Sequence, residues 1–250
     1  MVVVDSAIVV GGAGGLGAPT VARLANAGFA VVVLDRALPE SSRAVASVVG
    51  DATDDEAVTE AVATAPGPVR VLVNVAGGSG RGRATVEDGE PHDLASFERA
   101  LRSNVVGTFN AIRLVAAAMS ANEPDLDGQR GVIVNTASIA GIEGQRGQVA
   151  YAAAKAAVLG MTLPLARDLA PLGIRVCAVA PGPMGTPAML RLHGTLLEDP
   201  AAGVVFPGRL GRPEEFAELV ADNVANPYLN GEHIRLDGAL RLAGVPKEQR

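Results

Sequence analysis

Three side chains in residues 138–155, SIAGIEGQRGQVAYAAAK, could together move a proton: the Ser138 hydroxyl, the Tyr151 phenol and the Lys155 ammonium. Tyr151 and Lys155 are four residues apart, which in a helix puts both on one face about one turn from each other. An ammonium in that position favours the ionised phenol. A free phenol titrates near pH ~10, so such a shift is what would let Tyr151 exchange protons near neutrality. Ser138 lies thirteen residues earlier, just past the apolar run 132–134, and reads as the end of a strand. Its hydroxyl could hold a carbonyl oxygen against the phenol. A lone Tyr-x-x-x-Lys also occurs on ordinary solvated helix faces, so the surrounding elements must decide its meaning.

Those elements alternate between strand and helix. Apolar residues 7–10 end at GGAGGLG, in which Gly11, Gly15 and Gly17 form G-x-x-x-G-x-G. Missing side chains there permit a tight turn and close approach of a pyrophosphate to backbone N–H groups. Pro19 suits the first turn of the following helix, and Gly28 suits its end. A second strand, 30–34, leads to Asp35, about twenty residues past the loop, where a carboxylate accepts hydrogen bonds from an adenosine ribose. The same charge repels a 2′-phosphate, which predicts NAD rather than NADP. Arg36 could serve such a phosphate, but the glycine loop contains no Lys or Arg. A third strand, 45–49, precedes Asp51 and Ala52. Asp51 could bond an adenine amino group or simply close a turn. Residues 53–56, TDDE, have the form of a capping box headed by Thr53. A fourth strand, 69–73, ends at Asn74-Val75-Ala76-Gly77, where small residues let a ring system pass close to backbone.

Residues 77–92 read as a polar, glycine-rich rim, in which Arg81 and Arg83 could meet phosphates. Helical periodicity predicts one long helix over 93–122, with Asn104 inside it. The Asp-x-Asp-Gly fragment at 125–128 has Thr136 where a calcium loop requires its closing Glu, so no calcium site is expected. A fifth strand, 132–136, a helix over 149–170 with Pro164 expected to kink it, and a sixth strand, 174–180, follow. Beyond Pro181-Gly-Pro-Met-Gly-Thr186, residues 187–212 are apolar among prolines and glycines and could fold over a greasy substrate. A helix over 213–225 and a strand over 233–236 complete the pattern. His92, His193 and His233 are too scattered to predict a metal site.

The expected fold is α/β, a doubly wound parallel sheet of Rossmann type, in a single domain over 1–250 with a substrate-covering segment at about 187–212. The glycine loop, Asp35, Asn74, Ser138 and Pro181 all fall at predicted strand ends, where such sheets bind ligands. A net charge of -6 and 3% aromatic residues give neither the basic footprint nor the stacking platforms of nucleic-acid binding. A small-molecule ligand is expected. Cys177 is the only cysteine and reads as a small buried hydrophobe. With no basic leader before the first apolar run and no stretch of ~18 uninterrupted apolar residues, the expectation is a cytoplasmic protein without a membrane span.

GGAGGLG, Asp35, NVAG, Asn104, Ser138, YAAAK and PGPMGTP together resemble the short-chain dehydrogenase/reductase family over essentially the whole chain. The resemblance implies a catalytic set of Ser138, Tyr151 and Lys155, with Asn104 holding a water in a proton relay to Lys155. It implies that NAD is contacted by Gly11, Gly14, Gly15, Leu16 and Gly17, by Asp35, Asp51 and Ala52, and by Asn74, Val75, Ala76 and Gly77. Tyr151, Lys155, Pro181, Gly182, Met184 and Thr186 are implied contacts as well. GTFNAIRLVAAAM, EGQRGQVAYAAAK and LNGEHIRLDGALR look like the type II L-3-hydroxyacyl-CoA dehydrogenase branch. That branch implies an NAD-dependent homotetramer acting on an acyl-CoA, with Ser138, Gln145 and Tyr151 beside the substrate. Val10 stands where the family usually has Thr, and Val75 replaces the second Asn or a Cys; both are expected to tune loop rigidity. Other readings are a 3-oxoacyl-carrier-protein reductase, a hydroxysteroid or small-alcohol dehydrogenase, and a non-catalytic nucleotide-binding scaffold.

Overall fold

The computed structural model describes residues 4–38, 43–78, 82–192 and 201–242. Arg81, His193 and the middle of the covering segment, 193–200, lie outside them. The N-terminal half runs β1 (Ser6–Val10), α1 (Gly17–Asn26), β2 (Ala30–Asp35), β3 (Ala46–Val49), α2 (Asp55–Thr64) and β4 (Val69–Asn74). A two-stranded hairpin of β5 (Val86–Glu87) and β6 (Glu90–Pro91) leads to α3 (Leu94–Leu101), a π turn (Arg102–Val106) and α4 (Gly107–Met119). The chain continues through β7 (Gly131–Thr136), a 3-10 turn (Ile139–Gly141), α5 (Val149–Leu169) and β8 (Ile174–Pro181). It closes with α6 (Pro187–Leu192), α7 (Pro213–Ala225) and β9 (His233–Leu236).

Seven strands pair in the order β3-β2-β1-β4-β7-β8-β9, all parallel. Parallel strands need crossovers, and the helices supply them on both faces, so every central strand is buried twice over. Alternate residues therefore serve opposite cores. Ile8, Val32, Leu72, Ile133 and Val176 join residues of α2 and α4 on one side. Val9, Val33, Val73, Val134 and Val179 meet Val21 of α1 and Phe216 of α7 on the other. This double burial is why the strands read as continuous apolar runs.

Three local details differ from the sequence reading. The cap of α2 is Asp54, whose side chain accepts from the Glu56 N–H, because Asp51 already takes the Thr53 N–H at 2.9 Å. The helix expected over 93–122 is interrupted by the π turn, and the Gly107 N–H reaches back to the Arg102 carbonyl. Asn104 explains this: its amide donates to the Ala100 carbonyl at 3.0 Å and competes with the ordinary backbone ladder. The rim at 77–92 contains the β5–β6 hairpin, which its polar composition did not reveal. The helix expected over 149–170 is α5, with Pro164 inside it. Gly160, whose carbonyl loses its partner there, is exposed to water, so the missing donor is tolerated.

The loop after β1 is fixed by close backbone packing. Gly11 has φ 83°, and a Cβ on Gly17 would stand 2.0 Å from the Gly11 carbonyl oxygen. Gly28 has φ 98° with open space around it. Gly17→Ala is therefore expected to lower unfolding free energy by about 3 kcal/mol through forced loop displacement. Gly28→Ala, which meets only backbone strain, should cost about 1 kcal/mol. Urea titration of both variants checks the order.

Candidate active site

A cavity of 720 Å³ opens at the C-terminal ends of β1, β2, β3 and β4. Among the residues predicted to contact a dinucleotide, Gly11, Gly14, Gly15, Leu16, Asp35 and Asp51 line it, as do Ala52, Val75, Ala76, Gly77 and Thr186. Asp35 accepts the Ala13 N–H at 3.0 Å, so the strand-end carboxylate also holds the glycine loop. The Thr53 backbone N–H holds the Asp51 carboxyl below its ordinary range; partial burial opposes this, and Arg36 and Arg102 add to it. A Cβ on Gly15 would press into Thr186, 2.7 Å away, closing the cavity against the β8–α6 connection. A bare glycine loop, an acceptor at the β2 end and a crevice of this size fit a dinucleotide.

Other predicted contacts sit behind this wall. Gly17 is buried at the helix start. Asn74 is buried and donates to Asn135 of the neighbouring strand at 2.9 Å. Its own Oδ1 and the Asn135 Nδ2 have no partner in the structure. Pro181 ends β8, Met184 is buried in the core shared with α1 and α7, and the Gly182 N–H donates to the Leu236 carbonyl. These residues shape the backbone that Thr186 stands on.

Tyr151 lines a smaller adjoining cavity of 170 Å³ between α3 and the start of α5, and Gly78, Arg99 and Ser103 border both spaces. Ser138, at the start of the connection from β7 to α5, is buried and accepts the Ala140 N–H at 3.1 Å. Its hydroxyl hydrogen is left to donate elsewhere. Lys155 is buried one turn beyond Tyr151 and donates to the Thr136 carbonyl at 2.8 Å. Its ammonium lies 5.7 Å from the Tyr151 ring centroid. Gln145 is exposed on the turn before α5.

The electrostatics correct one expectation. Burial pushes the Tyr151 phenol up, with the Ser138 hydroxyl opposing it in part. Burial also lowers Lys155 from 10.5 to about 8. In the chain alone, desolvation outweighs the attraction between ammonium and phenolate that the spacing suggested. Asn104 is fully buried in the π turn, with its amide nitrogen donating to Gly78, Ala100 and Ser103 and its Oδ1 unpartnered. A Cβ on Gly77 would stand 2.3 Å from that Oδ1 and 3.4 Å from the Lys155 nitrogen. The bare glycine thus lets the Asn104 amide of the π turn pack closely against the end of β4.

Sequence reasoning missed Arg99, Arg102 and Ser103, which look like any solvated helix face. It also missed Asn135, for which a signal existed: an amide inside an apolar strand needs a partner. Among the described residues, no group of three His, Cys, Asp or Glu side chains could hold a metal.

The short chain dehydrogenase family profile matches residues 5–194. The 3-hydroxyacyl-CoA dehydrogenase type-2 of Homo sapiens is 49% identical over 249 residues, covering 94% of this chain and 95% of that protein. The enzyme of the same name from Drosophila melanogaster is 47% identical, covering 94% of this chain and 96% of that protein. The crystal structure of 3-hydroxyacyl-CoA dehydrogenase type-2 from Mycobacterium avium superposes with a TM-score of 0.90 at 45% identity, covering 96% of both chains. A family profile that covers most of the chain, relatives near half identical over almost its whole length and a shared fold show that the chain belongs to the short-chain dehydrogenase family and is an oxidoreductase.

Proposed function

We propose that this enzyme interconverts L-3-hydroxyacyl-CoA and 3-oxoacyl-CoA with NAD as the redox partner. The observation that carries the reading is Tyr151 at the cavity wall with Ser138 and buried Lys155 behind it, in a chain close to half identical to relatives named for that reaction. Asp35 supports NAD, because a carboxylate at the β2 end repels a 2′-phosphate. A bound nicotinamide would supply the hydride acceptor. Tyrosinate at Tyr151 takes the proton of the secondary alcohol, and Ser138 donates to the oxygen as it becomes a carbonyl. Lys155 stabilises the tyrosinate once water is excluded.

A homotetramer and a cytoplasmic setting belong to the same proposal. Val149–Leu172, which includes α5, is long and apolar enough to cross a membrane at mean hydropathy 1.5, yet it carries Lys155 of the site and packs on β8. Only 28% of that segment's most apolar stretch is buried, and Val149 and Leu163 on it, with Val106 and Phe109 beside it, are exposed. That surface suits contact between copies. Cys177, a buried free thiol, is consistent with a reducing compartment.

Acetoacetyl-CoA reduction is expected to run with NADH far better than with NADPH. It should also exceed reduction of the carrier-protein thioester or oxidation of a hydroxysteroid. Tyr151→Phe should lower kcat by about 10³-fold while the protein stays folded; near-normal turnover would remove the assignment. Sedimentation velocity should give four times the chain mass, and a monomer would overturn the assembly. For Lys155, the folded value of about 8 lies below 10.5, so the unfolded chain binds more protons between these pH values. Stability of the chain alone therefore rises with pH through that window. Relative to Lys155→Met, it should gain about 2 kcal/mol from about pH 7 to about pH 9.5, read by urea titration.

A further inference from the structure

Arg235 is the second-last residue of the sheet's edge strand, in register with Ala180 of β8. Its guanidinium is engaged in three directions. One nitrogen donates to Glu143 at 2.6 Å, a second to Asp237 at 2.7 Å, and a third to the Leu240 carbonyl at 2.9 Å. Glu143 is held equally well: its other oxygen accepts the Leu242 N–H at 2.8 Å. The side chains of Arg235, Glu143 and Asp237 are only 21%, 23% and 7% exposed, so this is a sheltered network rather than a surface pair. Charge-assisted, forked hydrogen bonds of this kind fix geometry as well as adding energy.

Three loops converge on these side chains. Glu143 lies five residues after Ser138 and two before Gln145, on the connection from β7 to α5. Asp237 packs against Gly182 so closely that a Cβ there would stand 2.8 Å from the Asp237 Cβ, which ties in the β8–α6 connection. The next residue, Gly238, accepts N–H bonds from Val205 and Phe206 of the covering segment at 3.0 and 3.2 Å. The catalytic side chains do not depend on this network: Lys155 is anchored to the Thr136 carbonyl, and Ser138 to the turn that follows it.

We propose that Glu143, Arg235 and Asp237 form a positioning hub that fixes the Gln145 turn and residues 201–206 relative to each other, and so sets substrate affinity without touching the reacting atoms. The proposal rests on the reading that substrate enters beneath the covering segment. Loosening the hub lets the two loops move separately while Tyr151, Lys155 and Ser138 stay in place. Its signature is a change in KM that leaves kcat nearly intact.

The test uses the full chain. Glu143→Gln keeps the shape and removes the charge, and Arg235→Lys keeps the charge and removes the fork. In either variant, KM for acetoacetyl-CoA should rise about tenfold with kcat within about threefold, since an oriented contact is loosened rather than lost. Hydrogen exchange of the free chain should quicken in both 139–147 and 201–206, with the urea midpoint little changed. Faster exchange in only one loop, uniform loss of protection, or an unchanged KM would overturn the hub. If the unmodified protein does not turn over acetoacetyl-CoA, the substrate reading fails alone, and exchange in the two loops still decides the hub.

Discussion

A buried ammonium with no acidic neighbour is the constraint around which this molecule is built. Lys155 is almost completely removed from water, its one hydrogen bond goes to the Thr136 carbonyl, and among the described residues it forms no ion pair. Taking such a charge out of water is costly, and the cost is visible in the lowered proton affinity of its nitrogen. The Thr136 carbonyl at the end of β7 compensates in part. The Asn104 oxygen of the π turn and the Lys155 nitrogen both lie close to where a Cβ on Gly77 would stand, 2.3 and 3.4 Å away. A helix that simply continued from α3 into α4 would not place Asn104 in this way. The distortion and the buried charge belong together.

The same arrangement sets the two halves of the site apart. Burial makes Tyr151 more reluctant to ionise than a free phenol, with the Ser138 hydroxyl opposing it in part. Asp35 accepts the Ala13 N–H and thereby holds the glycine loop.

Double burial of the sheet made the strands legible: residues 30–34 are apolar without alternation, 174–180 are apolar apart from Arg175, and both are strands. Pro213 and Gly28 marked helix ends correctly because their backbone restrictions are local. The π turn was hidden because it arises from competition between the Asn104 side chain and the backbone, which no periodicity records. Asp54 replaced Thr53 as a cap because Asp51 had already taken the Thr53 N–H. The proximity of Tyr151 and Lys155 was readable from type and spacing, but the direction of the Tyr151 shift was not. Spacing gives proximity, whereas desolvation depends on what chain segments far away in sequence cover. Asn74 illustrates the same limit: its motif suggested the cavity, and its actual partner is Asn135, sixty-one residues on.

The placement of β1 between β2 and β4 has a consequence for how the chain assembles during synthesis. β1 precedes the other strands of the sheet in the chain yet occupies its interior, and its partner β2 follows within one short crossover. The nascent chain can thus close a β1-α1-β2 unit early, with β3 added outward beyond β2 and the remaining strands added on the β4 side. The edge strand β9 follows β8 in the chain, so the β8–β9 pairing forms only after every other strand of the sheet has been made.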